Sequence, residues 1–295
     1  MIRHVILLAV LILLLPAVHA LGLASSEKMA WSTYAVATRK GLGTCVIVNC
    51  RDSTARSGVA QVLVTSAHVL RTAPRGPYFL LVRVPVKGAN PDLAILEIDI
   101  SRECEHPFVK HPRYDVAAMR VEIPAELSSM ISLPSFLNER TIAQQSAAHV
   151  GDEIFVLGFP RIFPGTTGGF PVFRSGRIAS YSPGSQADRV KFLIHSDVYS
   201  GDSGGPVFAE HSWGGPNLLG LITERIGPKN SQVPLAIAID ASAIRETLAQ
   251  LHTSESPHHI QSSNKQPVSM SVESPRVKLL GSPELLRQLL NTNGL

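Results

Sequence analysis

From Trp31 onward the apolar positions fall into short β-branched and aliphatic runs, parted by glycine, proline and polar residues, with no helical spacing between them. Tyr34-Ala-Val-Ala-Thr, Thr44-Cys-Val-Ile-Val, Val59-Ala-Gln-Val-Leu-Val-Thr, Phe79-Leu-Leu-Val-Arg-Val, Leu93-Ala-Ile-Leu-Glu-Ile and Asp115-Val-Ala-Ala-Met-Arg-Val each read as a strand. Residues from about Pro124 to Ala148 break the rhythm and predict a connector, with a short helix between Glu139 and Ser146. A second β series follows, at Glu153-Ile-Phe-Val-Leu-Gly, Gly176-Arg-Ile-Ala-Ser, Val190-Lys-Phe-Leu-Ile-His, Pro206-Val-Phe, Leu218-Leu-Gly-Leu-Ile-Thr and Leu235-Ala-Ile-Ala-Ile. Ala241 to Leu251 then places Ile244, Leu248 and Leu251 on one helical face. Two series of similar size and one helix predict an all-β protein of two packed antiparallel six-stranded barrels, closed by a C-terminal helix. The expected division is 21–130 for the first barrel and 131–251 for the connector, second barrel and helix.

The ends of the chain follow a different pattern. Met1-Ile2-Arg3-His4 is a short basic start, Val5 to Leu15 is unbroken aliphatic sequence, and Val18-His19-Ala20 suits a signal peptidase. Residues 1–20 therefore read as a signal peptide cleaved after Ala20, which places the mature chain in a secreted or periplasmic location with no membrane span. His252 to about Pro275 is rich in Ser, His, Asn and Gln and reads as a flexible linker. Ser282-Pro-Glu-Leu-Leu-Arg-Gln-Leu-Leu carries a serine cap and a proline at the first helical position, the marks of a short helix in the tail 252–295.

Of the 295 residues 44% are hydrophobic and 17% charged, the balance of a globular domain. Losing Arg3 with the signal lowers the net charge from +4 to +3, and the basic residues are scattered, so nucleic acid is not an expected partner. Cys45, Cys50 and Cys104 allow one disulfide and one spare thiol in an oxidising compartment: Cys45 could close a short loop with Cys50, or Cys104 could reach either. No cysteine or histidine spacing fits a structural metal, and no cofactor is expected.

Candidate chemistry centres on Ser200-Gly201-Asp202-Ser203-Gly204-Gly205-Pro206-Val207-Phe208. Glycines around a serine permit a sharp turn that exposes the hydroxyl and gathers backbone N–H groups beside it, as an oxyanion requires. A nucleophilic serine also needs a base and a group to orient that base. His68 follows a strand in Val64-Thr65-Ser66-Ala67-His68-Val69-Leu70, and Asp115 opens one in His111-Pro112-Arg113-Tyr114-Asp115-Val116-Ala117-Ala118-Met119.

In that chain order the segments Thr65-Ser66-Ala67-His68-Val69, Tyr114-Asp115-Val116-Ala117-Ala118-Met119 and Gly201-Asp202-Ser203-Gly204-Gly205-Pro206-Val207 closely resemble the signatures of the chymotrypsin/trypsin-like serine protease superfamily. Gly151-Asp-Glu-Ile-Phe-Val-Leu-Gly-Phe-Pro160 is similar to the start of the second barrel in its bacterial-type, trypsin-like-peptidase branch. The resemblance spans roughly residues 31–251. It implies a chymotrypsin-like fold and a serine endopeptidase acting on protein or peptide substrates, with Ser203 as nucleophile, His68 as base, Asp115 as its orienting acid, and the amides of Gly201 and Ser203 as the oxyanion hole.

Three positions depart from the animal members. No Arg-Ile-Val-Gly-Gly-type activation sequence is present, so Asp202 needs another cation; Arg161, Arg174 and Arg177 are candidates, and Arg161 resembles the internal arginine of some bacterial relatives. Val69 stands where many members have a cysteine beside the catalytic histidine. Asp197, six residues before Ser203, matches the position that selects basic side chains in trypsin, whereas bacterial relatives often carry a structural Asp nearby; Thr223 and Arg225 fall along the pocket wall. The alternative reading is a catalytically weak protease-like binding module acting through its surface or tail. An esterase elbow is disfavoured, because the serine here comes last in the chain order and its surroundings are β.

Overall fold

The structure is a computed structural model and describes residues 24–38, 41–52, 58–72, 76–84, 92–99, 108–123, 127–128, 132–143, 149–161, 169–181, 190–211, 215–227, 233–253 and the backbone of 276–280. The signal-like segment, Cys104 and the helix expected from Ser282 lie outside these residues.

In chain order the elements are α1 (Ser25–Ser32), β1 (Thr33–Thr38), β2 (Gly41–Arg51), β3 (Val59–Thr65), α2 (Ala67–Arg71), β4 (Tyr78–Val84), β5 (Asp92–Asp99), β6 (Val109–Lys110) and β7 (Ala117–Arg120). The second half holds β8 (Glu153–Gly158), β9 (Val172–Tyr181), β10 (Lys191–His195), β11 (Pro206–His211), β12 (Gly215–Arg225), β13 (Leu235–Asp240), α3 (Ala241–Thr253) and β14 (Arg276–Leu280). The second set closes into a six-stranded barrel in the order β10-β13-β12-β11-β8-β9. The first forms an eight-stranded sheet, β14-β5-β4-β1-β2-β3-β7-β6. Its additions to the expected six are the two-residue β6 and β14, a tail segment that pairs antiparallel with β5 from Arg276 against Asp99 to Leu280 against Ile95. The architecture is the expected all-β, chymotrypsin-like pair of packed sheets with a terminal helix.

β2 is the wall shared by the two halves. A strand sends successive side chains to opposite faces. Accordingly Cys45 and Ile47 enter the core of the first sheet, while Val46, Val48 and Cys50 enter the larger core that continues into the second barrel. β3 divides in the same way, with Leu63 on one side and Val62 and Val64 on the other. Fully burying each such side chain contributes about 1.5–3 kcal/mol, and here that stabilisation also docks the two halves.

The same pleat corrects one expectation about the cysteines. Cys45 and Cys50 both lie on β2, on opposite faces, and both are free thiols. Five residues of extended chain separate their Cα atoms by roughly 17 Å, well beyond the reach of a disulfide. Burial pushes the Cys50 thiol up to about 12, so it is neutral.

Two helices and one buried charge were not anticipated. α1 has no strong apolar stripe; Met29 and Ser32 are its buried residues, and the Ser32 hydroxyl turns back to the Lys28 carbonyl. α2 is a single short turn after β3. Arg83 on β4 is only 1% exposed. Its guanidinium lies among the rings of Trp31, Tyr34 and Phe170 and donates to the carbonyls of Trp31, Thr33 and Gly169. It thereby fastens α1 and β1 to the segment that leads into β9. In the connector, 138–141 forms a turn joined to β2 and β12 by the bridges Asn49–Asn138 and Ile142–Leu218, where a helix was expected from Glu139; residues 144–148 lie outside the described set.

Candidate active site

His68 sits on α2, directly after β3, and Asp115 lies in the loop between β6 and β7. The His68 Nδ1 and Asp115 Oδ2 are 2.6 Å apart, and the backbone N–H of His68 donates to Asp115 Oδ1 at 2.9 Å. An ionised carboxylate only accepts, so Nδ1 carries the proton and Nε2 is left with a free lone pair. Burial on its own would raise the Asp115 pKa. The hydrogen bonds and charge of His68, with Arg71 nearby, outweigh it and hold the carboxyl below the ordinary range. Both side chains keep solvent contact, at 36% and 33% exposure.

The loop carrying Asp115 is fixed from behind by His111, which is fully buried. Its Nδ1 accepts the N–H groups of Arg113 and Tyr114, so Nε2 is the protonated nitrogen and donates to Glu246 on α3 at 2.9 Å. The terminal helix thus braces the Asp115 loop. Nothing in the sequence marks this role beyond a histidine four residues before the aspartate.

Ser203 is half-buried in the turn that precedes β11. Gly201 has φ +104°, a conformation a side chain would strain. One acceptor joins this turn to α2: the Ile222 carbonyl receives both the Gly204 N–H at 2.7 Å and the Ser66 hydroxyl at 2.9 Å. Ala67 N–H in turn donates to the Asp115 carbonyl at 3.3 Å. His68, Asp115 and Ser203 are therefore gathered on one short hydrogen-bonded framework. Among the described residues no hydrogen bond joins the Ser203 hydroxyl to the His68 ring, and the amides of Gly201 and Ser203 donate to no protein acceptor.

Asp202, between those two amides, is fully buried. Arg174 on β9 grips it with two parallel bonds, Nη1 to Oδ2 at 2.7 Å and Nη2 to Oδ1 at 2.8 Å, and the Tyr199 N–H adds a third at 2.7 Å. The cation is Arg174 and not Arg161, whose exposed side chain lies over Gly41, nor Arg177, which donates to the Gly151 carbonyl. Pairing decides this: β9 runs beside β8 with Arg174 opposite Val156, and Gly158 at the end of β8 leaves the space. A Cβ on Gly158 would overlap Asp202 Oδ1.

The expected specificity residues are placed but not joined by this framework. Asp197 is exposed in the segment after β10. Thr223 stands at a bulge between β12 and β13, its hydroxyl 3.3 Å from the Ile237 carbonyl, and Arg225 is half-buried at the end of β12. Among the described residues, Cys50, Glu139 and His252 bring three potential metal-ligand atoms within 4.8 Å of one another, a grouping remote in sequence. No helix among the described residues is long and apolar enough to cross a membrane.

Two solved structures are similar to this chain. The HtrA-type protease AlgW, solved with a tripeptide, is 16% identical with a TM-score of 0.48; the match covers 78% of this chain and 62% of that one. An inactive form of Rv3671c from M. tuberculosis H37Rv is 18% identical with a TM-score of 0.46, over 78% of this chain and 91% of that one. This chain thus spans less than two thirds of the AlgW structure. No curated protein sequence matches it. The trypsin-like peptidase domain matches residues 43–214, a stretch that holds His68, Asp115 and Ser203 together, and the chain belongs to that family.

Proposed function

We propose that the chain is a serine endopeptidase that cleaves peptide bonds through an acyl-enzyme, with Ser203, His68 and Asp115 as its triad. The observation that carries this is the His68–Asp115 couple, bonded through both the ring and the backbone, on the framework that holds the Ser203 turn. Ser203 Oγ attacks the scissile carbonyl and its proton passes to the free Nε2 of His68. Asp115 stabilises the imidazolium, which then protonates the leaving amine. The amides of Gly201 and Ser203, unengaged among the described residues, receive the oxyanion.

Arg174 supplies the charge that Asp202 requires, so the turn forms without a newly cut N-terminus. Residues 1–20 act as an export signal, and the mature enzyme works in a secreted or periplasmic setting on protein or peptide substrates. Asp197, with Thr223 and Arg225 on β12, forms the wall that reads the substrate side chain. A peptide panel run on the parent and on Asp197→Ser tests that assignment: unchanged preference would remove Asp197 from it.

Covalent labelling by a fluorophosphonate tests the central reading. The folded parent should label and hydrolyse a peptide, and Ser203→Ala should lose labelling and about 10⁶-fold in kcat. A folded parent that neither labels nor hydrolyses would leave the catalytically weak binding module as the better description.

A further inference from the structure

Thr44 is fully buried on β2, yet it belongs to neither core; its polar groups meet the Ser203 turn across the seam between the two halves. Its backbone N–H donates to the Ser203 carbonyl at 2.8 Å. Its hydroxyl donates to the Gly201 carbonyl at 2.8 Å and accepts the Phe159 N–H at 3.0 Å. Its own carbonyl accepts the Thr65 hydroxyl at 2.6 Å, one residue before Ser66.

The two peptide planes on either side of the Gly201 Cα are each fixed by one bond from outside the turn. The Ser200 carbonyl accepts the Arg161 N–H at 2.8 Å. A trans peptide points its N–H opposite to its C=O, so that bond aims the Gly201 N–H away from Arg161. On the other side the Thr44 hydroxyl holds the Gly201 carbonyl, and the Asp202 N–H of the same plane goes to the Tyr199 carbonyl at 3.1 Å. Glycine at φ +104° has little torsional resistance of its own. What keeps the Gly201 amide turned toward the hole is therefore external, and of these supports only the Thr44 side chain comes from the half of the protein that carries His68 and Asp115.

We propose that Thr44 is a positioning residue of the oxyanion hole: its hydroxyl, seated between the Phe159 amide and the Gly201 carbonyl, holds the peptide plane after Gly201 as the Arg161 bond holds the one before it, and so makes the orientation of the Gly201 N–H depend on the docking of the first sheet against the second. This rests on the peptidase reading above. Thr44 touches neither substrate nor the reacting atoms; it acts through Gly201. A hydroxyl is required because the group must donate and accept at once, which valine, of nearly the same shape, does neither of.

The test compares the parent, Thr44→Val and Thr44→Ser on one peptide substrate, at a temperature where circular dichroism shows all three folded. Thr44→Val should lose about tenfold to a hundredfold in kcat, less than removal of a whole oxyanion donor, with KM within about twofold, since the interaction strengthens only as the oxyanion forms. It should weaken a peptide aldehyde, whose hemiacetal oxygen occupies the hole, by the same factor. Thr44→Ser should restore both to within about threefold of the parent. If Thr44→Val, folded, keeps the parent kcat and aldehyde affinity, or if Thr44→Ser is as impaired as Thr44→Val, the positioning role is wrong. A parent with no activity would instead sink the peptidase reading itself, so the two failures are told apart.

Discussion

Two carboxylates flank the candidate centre, and they are held in opposite ways. Asp115 faces an imidazole, keeps about a third of its surface in water and is bonded by the ring and the backbone N–H of His68. Asp202 faces a guanidinium, is wholly excluded from solvent and has both oxygens engaged by Arg174. The first pair is built for a charge that comes and goes on the ring. The second is built for a charge that stays, and serves only to hold the chain between two amides in one shape. A damaged first pair should therefore show in rate and a damaged second pair in stability.

The largest expected effect is on rate. Asp115→Asn should lower kcat by about 10⁴, as the equivalent change does in trypsin-like serine proteases, while the unfolding midpoint in urea moves little. A large loss of stability with modest loss of rate would erase the contrast. Next comes Arg174→Met. It strands a buried carboxylate and should cost about 3–5 kcal/mol in chemical denaturation; Asp202→Asn combined with Arg174→Met should recover part of that loss, and a double variant no more stable than the single one would show that charge is not the cause. The smallest effect is in acid. Because the folded pKa of Asp115 lies below its unfolded value of about 3.9, the couple stabilises the fold above about pH 4, and that contribution is lost as pH falls through the lowered value. The difference in stability between parent and Asp115→Asn should shrink as pH falls below about 4.

The strands were legible because each carries its own local signal. Val59–Thr65 and Glu153–Gly158 appear at the expected bounds, since β-branched residues between turn residues define a strand without knowledge of its neighbours. The three candidate site residues could be proposed for a related reason: each lies near a strand end, in a short segment with a recognisable order of residues. The cation for Asp202 was not, because the choice between Arg161 and Arg174 depends on the β8–β9 register and on the vacant space at Gly158, both properties of pairing rather than of sequence. Thr44 was hidden by its surroundings. Inside Thr44-Cys-Val-Ile-Val it reads as one more β-branched residue, and its value appears only when the second barrel brings Gly201 and Phe159 against it. Cys45 and Cys50 misled by closeness in number, which an extended strand turns into distance and opposite faces.

β14 has a further consequence. Without it β5 would be the last strand of its sheet, a row of unsatisfied N–H and C=O groups open to any extended chain. The tail occupies that row itself and becomes the outer strand in its place, so a chain cut short after Thr253 should keep its fold and uncover the β5 edge to pairing by other chains.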